Sequence, residues 1–156
     1  MVIKFREVMV GLAWTEHLSV GNAIIDSEHK KLIAMVNGAV YMINKGDDFA
    51  LSQAIDQIEH WINVHFSNEK TIALAVEFPF AQHERAHESV LKTLRFLRDE
   101  ITGKNGLWNK ESAENYAEIL SDWLTNHILM EDMLMKPLLQ TYPYDFKPSG
   151  CHAEFM

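Results

Sequence analysis

The sequence predicts an all-α protein: an up-down-up-down antiparallel four-helix bundle with an irregular N-terminal arm and a short C-terminal tail. Four long stretches carry apolar residues at the 3.6-residue spacing of a helix that is buried along one side. Short segments containing glycine or proline separate these stretches, and short connections make consecutive helices antiparallel. The alternating pattern of a strand does not stand out anywhere.

Length and composition indicate one globular domain. The chain has 156 residues, of which 47% are apolar, and this is enough for a substantial core. We divide it into a helical domain at residues 1–140 and a C-terminal tail at residues 141–156. Two prolines and a glycine interrupt the helical pattern in the tail, which we expect either to pack on the surface or to be loose, with a loose end favoured.

Charge and cysteine content restrict the partners and the compartment. Fourteen basic and 22 acidic residues give a net charge of −8, which disfavours binding to nucleic acids or anionic membranes. The single cysteine, Cys151, excludes an intrachain disulfide and fits a cytoplasmic protein, with a disulfide-linked dimer as the alternative role. Membrane insertion is not expected, because no apolar run approaches the roughly 18 residues of a spanning helix.

The first helix is predicted over residues 23–44. Asn22 is suited to its N-cap, and Gly46 is suited to the left-handed turn at its end. His29 falls inside its apolar stripe, at a position where an apolar residue belongs.

Three further helices are predicted at residues 49–76, 80–102 and 111–136. Pro79 marks the break before the third helix, and the Gly-Lys-Asn-Gly segment at residues 103–106 marks the turn after it. Their apolar stripes are again interrupted by residues that can bind metals: His65 and Glu69, His83 and His87, and His127. Together with His29, these residues make five histidines and one carboxylate that point towards the same interior.

So many polar side chains in one core need a shared explanation. A single buried histidine is usually a hydrogen-bonded core residue, but five without partners would destabilise the fold by several kcal/mol. A shared metal site would satisfy them together. After His127, helical spacing favours Glu131 as a further ligand, because Asp132 lies about 140° around a regular helix.

The histidines of the third helix allow two other interpretations. Residues 83–87 match the H-E-x-x-H signature of zinc metalloproteases, with Glu84 as general base. That interpretation leaves the histidines of the other three helices without a role. A ferritin-like oxidase would need two E-x-x-H motifs, and the sequence offers one, from Glu84 to His87.

Taken together, the motifs resemble the hemerythrin family, including its bacterial branch. The resemblance covers residues 14–137 and consists of Trp14, the segment Gly21–Leu32 around His29, His65-Phe66-x-x-Glu69, His83-x-x-x-His87 and His127-x-x-x-x-Asp132. It selects Asp132 over Glu131, against the preference of simple spacing. Lys70 is a departure, because bacterial members often have a second acid there.

The resemblance implies a non-haem di-iron site with two Fe ions (Fe2+/Fe3+) and a bridging oxo or hydroxo group. The implied metal ligands are His83, His87 and His127 on one iron, His29 and His65 on the other, and Glu69 and Asp132 bridging both. Counting these ligands leaves one open position, on the second iron, where the family binds O2. Mixed imidazole and carboxylate ligation is also chemically suited to iron.

The function that the resemblance implies is reversible O2 binding by a carrier or store, not an enzyme. The alternatives are an O2 or redox sensor and a di-iron peroxidase or oxidase. The apolar candidates for a dry O2 pocket are Leu32, Phe66, Trp123, Ile128 and Leu129. We expect O2 as the ligand, an O2-consuming enzyme as a partner, and a monomer or weak oligomer.

Overall fold

The structure, a computed structural model, describes residues 11–102 and 109–152 and is an all-α four-helix bundle, as predicted. The four helices are α1 (Ala23–Lys45), α2 (Asp48–Ala75), α3 (Ala81–Thr102) and α4 (Lys110–Asn126). Each packs against the next, and α4 closes the bundle against α1. Among the described helices, none is long and apolar enough to cross a bilayer. The turn predicted at residues 103–106 and the first ten residues of the N-terminal arm lie outside the described ranges.

The predicted ends of α1 are confirmed by its caps. The Asn22 side chain accepts hydrogen bonds from the backbone N–H groups of Ile24 and Ile25, at 3.0 and 3.2 Å. Gly46 has a φ of 69° and closes the other end, where its N–H bonds to the last turn of the helix. The starts predicted for α2, α3 and α4 each differ from the observed starts by one residue.

The prediction of one regular helix over residues 111–136 is wrong. Regular α-helix ends at Asn126, and a π-helical turn (His127–Glu131), a 3₁₀ turn (Asp132–Met135) and the short helix α5 (Lys136–Leu139) follow. The wider turn changes which side chains face inward: Leu134 is 64% exposed, whereas Met135 is buried.

The core is divided into two apolar clusters by a polar layer. On each of the four long helical segments, the predicted ligands lie in sequence between residues of the two clusters. Members of the first cluster include Leu32, Phe66, Val90 and Ile128, and members of the second include Ile25, Ile72, Phe80 and Met135. The ligand layer is therefore closed by apolar packing towards both ends of the bundle.

The described part of the C-terminal tail is docked on the start of α1, so the packed alternative is correct there and the favoured loose end is wrong. The carbonyl of Tyr144 accepts from the N–H of Ala23 at 2.8 Å, and that of Phe146 accepts from the Asn22 side chain at 3.0 Å. The Tyr144 hydroxyl donates to the buried Asp26 carboxylate at 2.9 Å. The last four residues of the chain lie outside the described ranges.

Replacing Glu77 with glycine should stabilise the protein. Glu77 follows α2 in the left-handed region, at a φ of 60°, and the N–H of Phe78 closes the turn onto the carbonyl of Ala73 at 2.8 Å. A side chain there costs free energy that glycine does not, so Glu77→Gly should raise the free energy of unfolding by about 0.5–1 kcal/mol. Urea unfolding followed by circular dichroism measures this. Glu77→Ala, which keeps a Cβ, is the control and should show no such gain; a Gly variant no more stable than the Ala variant would contradict the strain argument.

Candidate metal centre

All seven side chains predicted as ligands lie together in the polar layer. Possible ligand atoms fall in three overlapping groups, and within each group these atoms lie within 4.8 Å of one another. The first group contains His29, His65, His127, Glu69 and Asp132, the second contains His83, His87, Glu69 and Asp132, and the third contains His83, His87, His127 and Glu131. Glu69 and Asp132 belong to the first two groups, and every one of the seven predicted ligands is at most 6% exposed.

Helical spacing alone accounts for four of these positions. His65 and Glu69 on α2, and His83 and His87 on α3, are each four residues apart and therefore lie on one face. Their environments differ little in burial, because both helices turn these faces towards the interior. The sequence was sufficient to place them.

The π-helical turn directs Asp132, and not Glu131, towards the interior. The N–H of Asp132 bonds to the carbonyl of His127, five residues back, so the turn holds one residue more than a regular turn. Asp132 is thereby rotated inward and is fully buried. Glu131 stays at the edge, with a side chain that is 33% exposed, and its carboxylate lies 2.9 Å from His127 Nδ1.

The carboxylate of Asp132 lies between histidines of different helices. Its Oδ1 is 2.8 Å from His83 Nε2, on α3. Its Oδ2 is 2.7 Å from His29 Nε2, on α1, and 2.8 Å from His127 Nε2. One oxygen therefore faces the pair on α3 and the other faces α1.

The carboxylate of Glu69 is divided in the same way. Its Oε1 contacts His83 Nε2 and lies 3.6 Å from His87 Nε2. Its Oε2 lies 3.0 Å from His65 Nε2 and 3.3 Å from His127 Nε2. His127 thus lies between the two halves of the cluster, and its assignment to the iron of His83 and His87 remains a prediction from the resemblance.

The cluster fits a metal better than it fits a hydrogen-bond network. Although both oxygens of Glu69 lie this close to imidazole nitrogens, neither makes a hydrogen bond of normal geometry with a described residue. The same holds for Nε2 of His87. Buried polar atoms are normally paired, so atoms that converge without bonding to one another have the arrangement of ligands around cations.

The electrostatics of the cluster also call for cations. Burial by itself would raise the pKa values of Glu69 and Asp132, but the charges and close contacts of the surrounding histidines, with His127 foremost, together hold both pKa values below their usual range. Burial opposes the charged form of His83 too, but contacts with Asp132 and Glu69 raise its pKa to about 9. Burial dominates at His87 and lowers its pKa to about 3. Two buried carboxylates are thus compensated by positive charge, which bound metal ions would supply in place of protons.

Two histidines are oriented by carboxylates outside the cluster. His65 Nδ1 lies 3.3 Å from Glu28 Oε1, and His127 Nδ1 lies 2.9 Å from Glu131 Oε2. An Nδ1–H donated outward leaves the Nε2 lone pair directed inward, as a metal ligand requires. The role of Glu28 was not predicted from the sequence. Its position beside His29 was the available signal, but its partner comes from another helix.

Apolar and aromatic side chains close the cluster, with one exception among those predicted. Phe66 stacks on the His87 ring at a centroid distance of 3.6 Å, and Trp123 stacks on His127 at 4.9 Å. Leu32 and Ile128 are buried. Leu129 is 44% exposed, because the π-helical turn directs it to the outer surface, and we therefore remove it from the predicted pocket.

Glu84, the general base of the protease interpretation, does not face the cluster. Its carboxylate pairs with the ammonium group of Lys70 at the surface, where both side chains are more than one third exposed. Lys70 departs from the bacterial pattern, and this contact shows its structural role. It joins α2 to α3 outside the polar layer. The geometry therefore disfavours a metalloprotease.

Known proteins resemble this chain along most of its length. A family model described as "Hemerythrin HHE cation binding domain" matches residues 20–139. A bacteriohemerythrin of Stenotrophomonas maltophilia is 27% identical over 125 residues, which are 80% of this chain and 78% of that protein. A bacteriohemerythrin of Pseudomonas aeruginosa (strain LESB58) is 24% identical over the same shares, and a hemerythrin-like protein of Naegleria gruberi is 28% identical over 81% of this chain and 92% of its own. No solved structure matches the chain.

Replacing Asp132 and Glu131 separately should have different effects on metal content. Asp132→Ala removes a buried carboxylate that contacts both halves of the cluster, so the purified variant should hold less than half of the metal of the unmodified protein. Glu131→Ala removes only a partner of His127 Nδ1, so at saturating metal the content should stay unchanged while affinity falls about tenfold. Elemental analysis and metal titration measure both quantities. Equal loss in the two variants would contradict the inward rotation of Asp132.

Proposed function

This chain belongs to the hemerythrin family, and on that premise we propose that it binds O2 reversibly at a di-iron centre, as a carrier or store. The observation that carries the proposal is the buried layer of five histidines and two carboxylates, whose nitrogen and oxygen atoms converge in overlapping groups. Imidazole and carboxylate together are a donor set suited to iron. A di-iron centre, when bound, supplies the redox chemistry by which O2 can be held and released unchanged.

We propose the ligand roles that the resemblance implies. His83, His87 and His127 would hold one iron, and His29 and His65 the other. Glu69 and Asp132 would bridge, which is supported by the way each directs one oxygen towards α3 and the other towards α1 or α2. In this assignment the iron of His29 and His65 has one protein ligand fewer, and O2 would bind there.

A binding role, in preference to an enzymatic one, is supported by how the polar side chains of the layer are used. All seven are ligands in this assignment, so none remains to transfer a proton to O2. The two nearby carboxylates, Glu28 and Glu131, face the Nδ1 atoms of histidines and not the interior of the layer. Release of O2 unchanged requires that protons and water be kept away from it.

The surroundings of the ligands are suited to excluding water. Phe66 covers the His87 ring face to face, with an interplanar angle of 2°, and Trp123 covers His127 from one turn earlier in the same helical segment. Leu32 and Ile128 fill the same side of the layer with no more than 1% of their surface exposed. We propose these four side chains as the dry pocket.

The first test of this function is a deoxygenation and reoxygenation cycle. The iron-loaded protein should contain two irons per chain, gain visible absorption under O2, and lose it again when O2 is removed. Optical spectra over several cycles, together with iron analysis, measure this. Recovery of the full absorption change supports a carrier or store. Irreversible oxidation with consumption of peroxide would contradict it and favour an enzyme or sensor.

The second test compares a buried histidine with an exposed one. His83→Ala removes a ligand atom within 2.8 Å of Asp132, so the variant should lose at least one of the two irons and the absorption change with it. His17→Ala alters an exposed histidine in the N-terminal arm and should keep both irons. Iron content and the O2-dependent spectrum are measured for each. Retention of two irons by the His83 variant would contradict the proposed ligand set.

A further inference from the structure

The described end of the C-terminal tail is joined to a ligand histidine through two buried side chains. We propose that this part of the tail, residues 150–152, is a positioning element for the metal centre. It orients Asn68, Asn68 orients Glu28, and Glu28 holds the imidazole of His65. The inference rests on the proposed function, because its effect is on the iron that His65 would bind.

The backbone of His152 makes two hydrogen bonds with the carboxamide of Asn68. The N–H of His152 donates to Asn68 Oδ1 at 2.7 Å, and Asn68 Nδ2 donates to the carbonyl of His152 at 2.9 Å. Two hydrogen bonds of opposite direction fix which end of the carboxamide carries the nitrogen. Asn68 is fully buried, so water does not compete for these bonds.

The same carboxamide also positions Glu28 beside the polar layer. Asn68 Nδ2 also donates to Glu28 Oε2 at 3.0 Å, and the other oxygen of Glu28 lies 3.3 Å from His65 Nδ1. Glu28 and His65 are fully buried. With its Nδ1–H held by Glu28, the ring of His65 presents the Nε2 lone pair to the layer, 3.0 Å from Glu69.

The backbone of the tail is shaped for this contact. Gly150 has a φ of 93°, a conformation that glycine adopts readily, and a Cβ added there would lie 3.9 Å from the methyl group of Thr71 on α2. The other anchors of the tail, Tyr144 and Phe146, lie on the start of α1 and not on Asn68. The contact with Asn68 can therefore be removed while those anchors stay.

The experiment compares two substitutions at one position. His152→Pro removes the N–H that donates to Asn68, because proline has none, whereas His152→Ala keeps the backbone and changes only an exposed side chain. Each iron-loaded protein is mixed with a strong ferrous chelator under reducing conditions, and iron release is followed by absorbance. We expect one of the two irons to leave about tenfold faster from the Pro variant, and the Ala variant to match the unmodified protein.

A second pair of proteins avoids the demands that proline makes on the backbone. A chain that ends at Ser149 lacks the residues that hold Asn68, and a chain that ends at Ala153 keeps them. The shorter chain should release one iron faster and the longer one should not. Thermal unfolding of the metal-free proteins detects a purely structural role of the tail. In that case the shorter chain has a lower midpoint of unfolding, but its rate of iron release at temperatures well below the midpoint is unchanged.

A double substitution tests whether the effect of the tail reaches His65 through Glu28. In a Glu28→Ala background, which already interrupts the path to His65, His152→Pro should add no further acceleration. If the unmodified chain takes up no iron, the proposed function fails and this inference with it. If it takes up two irons, the inference alone fails when the Pro and Ala variants release iron equally fast, or when the effect of His152→Pro is undiminished in the Glu28→Ala background.

Discussion

The burial of two carboxylates in the centre of the bundle is the constraint on which the rest of this structure depends. Glu69 and Asp132 are fully buried and close enough that each contacts histidines of at least two helices. An isolated carboxylate in such a place would be strongly destabilising, and two would be worse. Positive charge is needed beside them, and the five histidines around them can supply it as protonated imidazoles or can act as neutral ligands to bound cations. The hemerythrin fold can be understood as four helices arranged to meet this requirement.

The helix that carries Asp132 shows what the requirement does to the backbone. A regular helix cannot direct His127 and a residue five positions later to the same point. The π-helical turn at His127–Glu131 adds the missing residue, and the segment after it is rotated relative to α4. Leu134 is exposed and Met135 is buried as a consequence. A local departure from ideal geometry thus brings Asp132 into the cluster, and π-helical turns are frequent at functional sites.

The surroundings of the ligands are organised from more distant parts of the chain. Glu131 comes from the same turn as its partner His127, but Glu28 reaches His65 from a different helix, and Asn68 connects Glu28 to the tail. Such contacts decide which nitrogen of each imidazole faces the interior. They also make the tail part of the environment of the centre, although it lies outside the four helices and outside the segment matched by the family.

The sequence by itself determined the four helices, the inward position of the histidines and the family. These features depend on periodicity and on short motifs, and both are local properties that a chain carries along its length. Helical spacing alone favoured Glu131 as a metal ligand, and only the resemblance pointed to Asp132. The tertiary structure decided what depends on neighbours distant in the chain: the π-helical turn, the exposed position of Leu129, the surface pairing of Glu84 with Lys70, and the contact of the tail with Asn68. None of these has a local signal, because a backbone irregularity or a contact between residues 84 positions apart is stabilised by the packed bundle and not by the residues on either side of it.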